Sequence, residues 1–285
     1  MTKKIIMLIN IKLWVTAFQE LGIPYEILHP TQNVIRIKLE KCHYFTHNTT
    51  PFNDQSSGRI LKDKDYTFHV LKGHISMPKT ISFLSPFCDK RYHEYLRFEN
   101  LSEIEQEILS IFSLPVIIKR NSGASGDNVF LCQNSNQIKI ALEKIFNVDN
   151  KNYDYIALAQ EYINIVCEYR AVFFNQKLVL LYQKDNSNAS FVGNLSPLHW
   201  EGAEAKIVTE AKIIQDIERF VQPVFAGFPI KYGGFDIAQD NKGQYWLIEI
   251  NSSPFYGKIL EDQGAEIVVN MFKKILIEWM AEKND

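Results

Sequence analysis

The stretch Gly233-Gly234-Phe235-Asp236-Ile237-Ala238-Gln239-Asp240-Asn241-Lys242-Gly243-Gln244-Tyr245-Trp246-Leu247-Ile248-Glu249-Ile250-Asn251-Ser252-Ser253-Pro254 decides how this chain is read. Two short apolar runs flank an Asp/Asn/Lys/Gly turn, the pattern of a β-hairpin. In the second run a period of two predicts Trp246, Ile248 and Ile250 on one face and Glu249 and Asn251 on the other. The partner strand can bring Asp236 beside them. Two carboxylates and an amide oxygen form a hard oxygen cluster, which suits Mg²⁺ when phosphate oxygens and waters complete its shell. An edge hairpin with a polar solvent face fits the same residues, and the stretch alone does not separate the two readings.

A second motif lies upstream, at Leu114-Pro115-Val116-Ile117-Ile118-Lys119-Arg120-Asn121-Ser122-Gly123-Ala124-Ser125-Gly126-Asp127-Asn128-Val129. An apolar strand ends in Lys119, a small-residue loop follows, and Val129-Phe130-Leu131 resumes as a strand. Gly123 and Gly126 let backbone N–H groups approach phosphate oxygens without a Cβ in the way. Lys119 supplies a point charge at the strand mouth. No Gly-Lys-Ser/Thr follows, so the loop is not of the Walker A type. In isolation it also fits a plain hairpin turn.

Taken in order, Lys119 with its loop, then Asp236, then Glu249-Ile250-Asn251-Ser252-Ser253-Pro254 resemble the ATP-grasp superfamily. The closest branch is that of ribosomal-protein glutamate ligases and glutathione synthetases, and the resemblance covers residues 60–280. It implies an α+β ATP-grasp fold, with two lobes sandwiching ATP behind a small α/β N-terminal domain. The expected divisions are 1–62 for that domain, 63–162 for the lobe with the phosphate loop and 163–285 for the lobe with the metal hairpin. It further implies Mg²⁺ (one ion or two, with Mn²⁺ as a substitute) on Asp236, Glu249 and Asn251. The phosphates would meet Lys64, Lys119, Gly123, Ser125, Gly126 and Lys184.

The resemblance places adenine at the end of the strand Ile156 to Ile163, beside Gln160, Glu161, Tyr162 and Ile163, and the ribose near Glu168. Arg170, in Cys167-Glu168-Tyr169-Arg170, would face phosphate or substrate, and an ion pair with Glu168 or a neighbour is the equal alternative. Lys119, Arg170 and Lys184 are the expected catalytic cations. Lys64 opens a helix after Asp63, where a solvated lysine is also common. The implied activity is an ATP- and Mg²⁺-dependent carboxylate-amine ligase working through an acyl phosphate, on small-molecule or peptide carboxylates and amines. A kinase acting on a hydroxyl and a non-catalytic nucleotide-binding module are the alternatives. In one respect the chain departs from those relatives, which carry an Arg-x-Asn near residues 185–202. No arginine occurs between Arg170 and Arg219, which puts a glutamate-like substrate in doubt and leaves Asn194 and His199 as the polar candidates.

Composition agrees with an enzyme. The 285 residues, 46% of them apolar, can bury a full core. Charge is nearly balanced at a net −2, which gives no pull toward nucleic acid or anionic membrane. Cys42, Cys88, Cys132 and Cys167 have no zinc-type spacing, and together with the lack of a cleavage-site pattern they predict a reducing cytoplasm. No apolar run has the length of a membrane span, and oligomeric state is left open.

Coarser expectations cover the rest of the chain. Ile5 to Ile9 reads as a first strand, Trp14 to Leu21 as a helix stopped by Gly22, and Ile23 to Leu28 as a second strand, a βαβ-like start. Residues 41–65 read as an irregular connector. Phe87 to Phe112 reads as largely helical with a Ser102-x-x-Glu105 capping box. Ile138 to Phe146 and Ala203 to Gln222 read as amphipathic helices, Asp185 to Gly202 as a long polar loop, and Gly264 to Met280 as a closing helix.

Overall fold

The computed structural model describes residues 7–123, 126–193 and 195–282. Helix α1 (Ile9–Glu20) buries Ile11, Trp14, Val15 and Phe18, a helical spacing that makes one apolar face. It ends in a Schellman turn at Gly22, which sits at φ +66°. There the Ile23 amide reaches the Phe18 carbonyl at 2.8 Å and the Gly22 amide reaches the Gln19 carbonyl at 3.1 Å. Of the expected opening strand only Met7 to Ile9 fall among the described residues, and these form no strand: Met7 and Leu8 belong to no element and Ile9 already belongs to the helix. In place of a βαβ unit, strands β1 (Tyr25–Ile27), β2 (Val34–Lys38) and β3 (Cys42–Thr46) make an antiparallel meander.

Residues 41–65 are therefore no mere connector. They carry β3, where aromatic and β-branched residues favour a strand, and helix α2 (Gln55–Lys62). The Asp54 carboxylate caps α2 by accepting the Ser57 amide at 2.9 Å. Helix α3 (Lys64–Leu71) follows at once, with Asp63 as its cap.

Strands β4 (Thr80–Leu84), β5 (Val116–Arg120), β6 (Val129–Cys132) and β7 (Ile156–Glu161) form an antiparallel sheet in the order β4-β7-β5-β6. Helices α4 (Leu101–Ile111) and α5 (Ser135–Phe146) cover one face through Ile104, Ile108, Ile138 and Leu142, all buried. The expected capping box lies two residues earlier than predicted. Asn100 caps α4, and Glu103 reaches back to the Glu99 amide at 2.8 Å and the Asn100 side chain at 2.8 Å. The segment before it holds only a 3₁₀ turn, Lys90–Tyr95.

A five-stranded antiparallel sheet follows. Strands β8 (Ile165–Phe174), β9 (Lys177–Asp185), β10 (Glu204–Ile207), β11 (Tyr232–Asp240) and β12 (Tyr245–Asn251) are ordered β10-β9-β8-β11-β12. Residues 204–207, expected at the start of a helix, instead alternate as a strand paired to residues 182–185. Helix α6 (Ala211–Gly227) begins after it and carries Pro223 inside it. The deciding hairpin forms, but not with a strict period of two. A bulge between Asp236 and Ile237 pairs Asp236 with Glu249 and Ile237 with Leu247. The extra residue, Ile248, shifts the alternation. Leu247 and Ile250 enter the core, whereas Ile248, Glu249 and Asn251 face a cleft.

Helices α7 (Gly257–Gln263) and α8 (Ala265–Ala281) close the chain. Helix α8 packs on α1, where the rings of Trp14 and Phe272 stack with centroids 3.6 Å apart. The N-terminal elements thus share one core with the back of the five-stranded sheet. No helix among the described residues is long and apolar enough to cross a membrane.

Candidate active site

The four-stranded and five-stranded sheets face each other across a cleft of about 630 Å³, within the range of small-molecule sites. On the five-stranded wall one rung runs across four strands: Glu249 on β12, Asp236 on β11, Arg170 on β8 and Tyr182 on β9. Arg170 grips Asp236 with two bonds, Nε to Oδ1 at 2.8 Å and Nη2 to Oδ2 at 2.8 Å. Lys184 adds a contact to Oδ1 at 2.7 Å and a second to Glu168 Oε2 at 3.1 Å. The Asn251 side-chain amide donates to Asp236 Oδ2 at 3.4 Å. Burial pushes the Asp236 carboxyl up, yet the charges of Arg170 and Lys184 and their hydrogen bonds outweigh it and hold the pKa at about 2. Burial pushes Arg170 and Lys184 down, and the Asp236 charge more than reverses this, so both end above their ordinary values.

The opposite wall is different. Lys119 is 5% exposed and donates to the neutral Gln160 Oε1 at 2.8 Å. Gln160 is fixed in turn by donating to Thr80 Oγ1 at 2.8 Å. With no carboxylate in contact, burial pushes the Lys119 ammonium down to about 8, and the charge of Lys64 adds to the effect against a smaller pull from Glu249. Lys64 donates to the Gly123 carbonyl at 2.7 Å and lies 3.7 Å from Glu249 Oε2. It thereby ties α3 to the phosphate loop and to the hairpin.

The loop is braced from below. Ser122 donates its amide to Asp154 Oδ2 at 2.6 Å, and Asn121 Oδ1 accepts the Asp65 amide at 2.9 Å. Arg120, which the sequence reading passed over, lies against Gly123. A Cβ there would stand 2.2 Å from its Nε, and Gly123 sits at φ +142°. The backbone angle favours glycine, and a side chain here would also have to push the Arg120 guanidinium aside.

Of the expected residues, Lys64, Lys119, Gly123, Gly126, Gln160, Glu168, Arg170, Lys184, Asp236, Glu249 and Asn251 all line this one cleft. Glu161, Tyr162 and Ile163 do not line it. The Glu161 amide donates to the Lys79 carbonyl at 2.9 Å, and the Ile163 carbonyl accepts Ile165 at 2.9 Å. Ser125 and Asn194 lie outside the described residues. The equal alternative for Arg170 is met by Asp236, while Glu168 pairs with Lys184. Reasoning from sequence missed Ile165, Ile248, Phe255 and Lys258, all of which line the cleft. Phe255 and Lys258 directly follow the Ser253-Pro254 end of the hairpin, and that position was the available signal.

A model of the RimK-like ATP-grasp domain matches residues 96–275, well over half of the chain. The chain belongs to the RimK-like ATP-grasp family. Its structure is similar to D-alanine–D-alanine ligase from Bacillus anthracis (TM-score 0.56, 15% identity, 80% of this chain and 71% of that one). It also resembles a RimK domain ATP-grasp protein from Sphaerobacter thermophilus (TM-score 0.51, 16% identity, 79% and 72%). A third neighbour is a bifunctional glutathione synthetase from Pasteurella multocida (TM-score 0.51, 14% identity), of which the aligned region spans 95% of this chain and 44% of that one. At these identities the likeness is one of fold. No curated protein matches the chain.

ATP-grasp enzymes bind ATP and generally use Mg²⁺. The donor set here fits a hard cation. Asp236 and Glu249 face each other across the hairpin, and Asn251 turns its NH₂ to Asp236, which leaves its oxygen for a metal. No three His, Cys, Asp or Glu side chains converge among the described residues, so a cation held here would need phosphate and water oxygens to complete its shell. Asp236 already receives four donors, one for each lone-pair position of a carboxylate. Arg170, Lys184 or Asn251 must yield a position before it can ligate.

Proposed function

We propose that this RimK-like ATP-grasp protein is an ADP-forming carboxylate-amine ligase. The observation that carries the reading is the asymmetry of the cleft: Lys119 is a buried cation with only a neutral partner, and it shares the cleft with an oxygen cluster of Asp236, Glu249 and Asn251. A polyanion with a bound cation satisfies both walls at once.

In this reading the phosphates of ATP lie against Lys119, Lys64 and the Gly123–Gly126 loop. Mg²⁺, held by Glu249 and Asn251 with Asp236, supplies neutralisation of phosphate charge. The base sits toward Gln160 and Ile165, with Glu168 near the ribose. A substrate carboxylate oxygen attacks the γ-phosphorus, the bond from that phosphorus to the β,γ-bridging oxygen breaks, and ADP leaves with the electron pair. The amine then attacks the acyl carbon, phosphate departs, and the amine proton passes to solvent. Arg170 and Lys184 are held in fixed positions by Asp236 and stabilise charge on the transferring group. Such preorganised donors are the main resource of phosphoryl transfer. The four cysteines are free thiols, which suits a reducing cytoplasm.

Hydroxylamine provides the test. It intercepts an acyl phosphate, so wild-type protein with Mg²⁺-ATP and the correct carboxylate should yield a hydroxamate, ADP and phosphate. A stable phosphate ester with no hydroxamate would instead identify a kinase.

A further inference from the structure

The cleft has a second end, away from the Lys119 wall, formed by the loop before β10 and by the chain entering α7. It is lined by Leu195, Ser196, Leu198, His199, Phe255 and Lys258, of which His199 is a polar candidate expected from the sequence. Two observations fix its character. The first is Phe255, whose ring is 57% exposed while the next residue, Tyr256, is fully packed and bonded to the Tyr232 hydroxyl. The ring lies over Gly257, where a Cβ would stand 2.4 Å from Phe255 Cε1. A buried anchor and a glycine therefore hold an exposed aromatic face at the mouth of the site.

The second observation is charge. The other Lys and Arg side chains lining the cleft, Lys64, Lys119, Arg120, Arg170 and Lys184, stand on α3, β5, β8 and β9, and the one beside Pro254, Arg170, is already engaged by Asp236 through two bonds. Lys258 is the only Lys or Arg on the two segments that form the second end among the described residues. Its ammonium lies 3.0 Å from Asp262 and 3.8 Å from Glu261, and Asp262 is fixed by accepting the Ala205 amide at 2.7 Å. A substrate side-chain carboxylate entering here would meet more negative than positive charge and would lose its water without gaining an unengaged cation. An apolar side chain would bury itself against Leu195, Leu198 and the Phe255 ring.

We propose that this end selects a substrate residue with an apolar, uncharged side chain, free or within a peptide, and that Phe255 is the platform determining that specificity. The inference rests on the ligase reading above. The test is ADP release by the full chain with Mg²⁺-ATP and pairs of free amino acids, or dipeptides, drawn from leucine, phenylalanine, valine, glutamate and aspartate. Substrates with an apolar member should exceed the purely acidic ones at least tenfold in kcat/KM. Phe255→Ala should raise KM for the apolar member about tenfold, and Gly257→Ala, which displaces the ring, should act in the same direction. In both variants the rise in melting temperature produced by Mg²⁺-ATP should persist. A preference for glutamate or aspartate, equal use of both classes, or an unchanged KM in Phe255→Ala overturns the inference and leaves the ligase reading standing. No ADP from any member, with the melting shift intact, overturns it as well. Loss of the wild-type melting shift strikes the nucleotide site and hence the proposed function itself.

Discussion

Lys119 and Lys184 are the same residue type, both all but buried, on facing walls of one cleft, and their environments move them in opposite directions. Lys184 touches two carboxylates, Asp236 and Glu168, and is held charged. Lys119 touches an amide oxygen and is pushed down to about 8. The difference shows that burial alone does not set the charge state. The counter-ion does. One wall is electrostatically complete before any ligand arrives, and the other is complete only when an anion enters.

The strongest way to break this contrast is to remove a counter-ion. Asp236→Ala leaves Arg170 and Lys184 buried and unpaired, and should cost about 3–5 kcal/mol in urea unfolding. Lys119→Met removes a charge that has no counter-ion, and should change stability by less than about 1 kcal/mol without nucleotide. Equal losses in the two variants would erase the distinction. Lys119→Met should lower kcat by roughly 10²–10³, as removal of other single preorganised donors does, measured as ADP release.

Acid should discriminate the walls next. The Asp236 pKa lies below its unfolded value, so the stability it contributes is present above about pH 4 and is lost as pH falls toward 2, by about 2 kcal/mol in total. Acid unfolding of wild type should show that loss, and Asp236→Ala should lack this component of the pH dependence. The smallest effect concerns the loop that bridges the walls. Gly123→Ala forces a side chain into left-handed backbone and onto Arg120, and should weaken ATP binding by about 1–2 kcal/mol in calorimetry.

Much of this was legible in the sequence. Strand β5 carrying Lys119, the glycine loop and the hairpin were readable because each combines a strong local pattern with a turn signal. Their convergence on one cleft followed from their order. The bulge at Ile248 was not readable, because a run of Leu-Ile-Glu-Ile carries no mark of where pairing slips. Strand β10 was missed because Ala205 and Ile207 match a helical stripe as well as an alternating one, and pairing to β9 decided between them. The helix over Trp14 to Leu21 was readable, but its first turn, from Ile9, was not, because its apolar face exists only against α8, some 250 residues away. The partner of Arg170 was open for a similar reason. Asp236 and Glu168 are both near in the sheet, and only the rung geometry chooses.

The claim at the centre of this account is that the phosphates of ATP supply the missing counter-charge of Lys119. Its most direct test is proton uptake on binding, from calorimetry at pH 8.5 in buffers of different ionisation enthalpy. With a free pKa of about 8 raised well above the working pH by phosphate, wild-type protein should take up roughly three-quarters of a proton per Mg²⁺-ATP, and Lys119→Met should take up almost none. Binding with no net uptake in the wild type, or the same uptake in the variant, would contradict it.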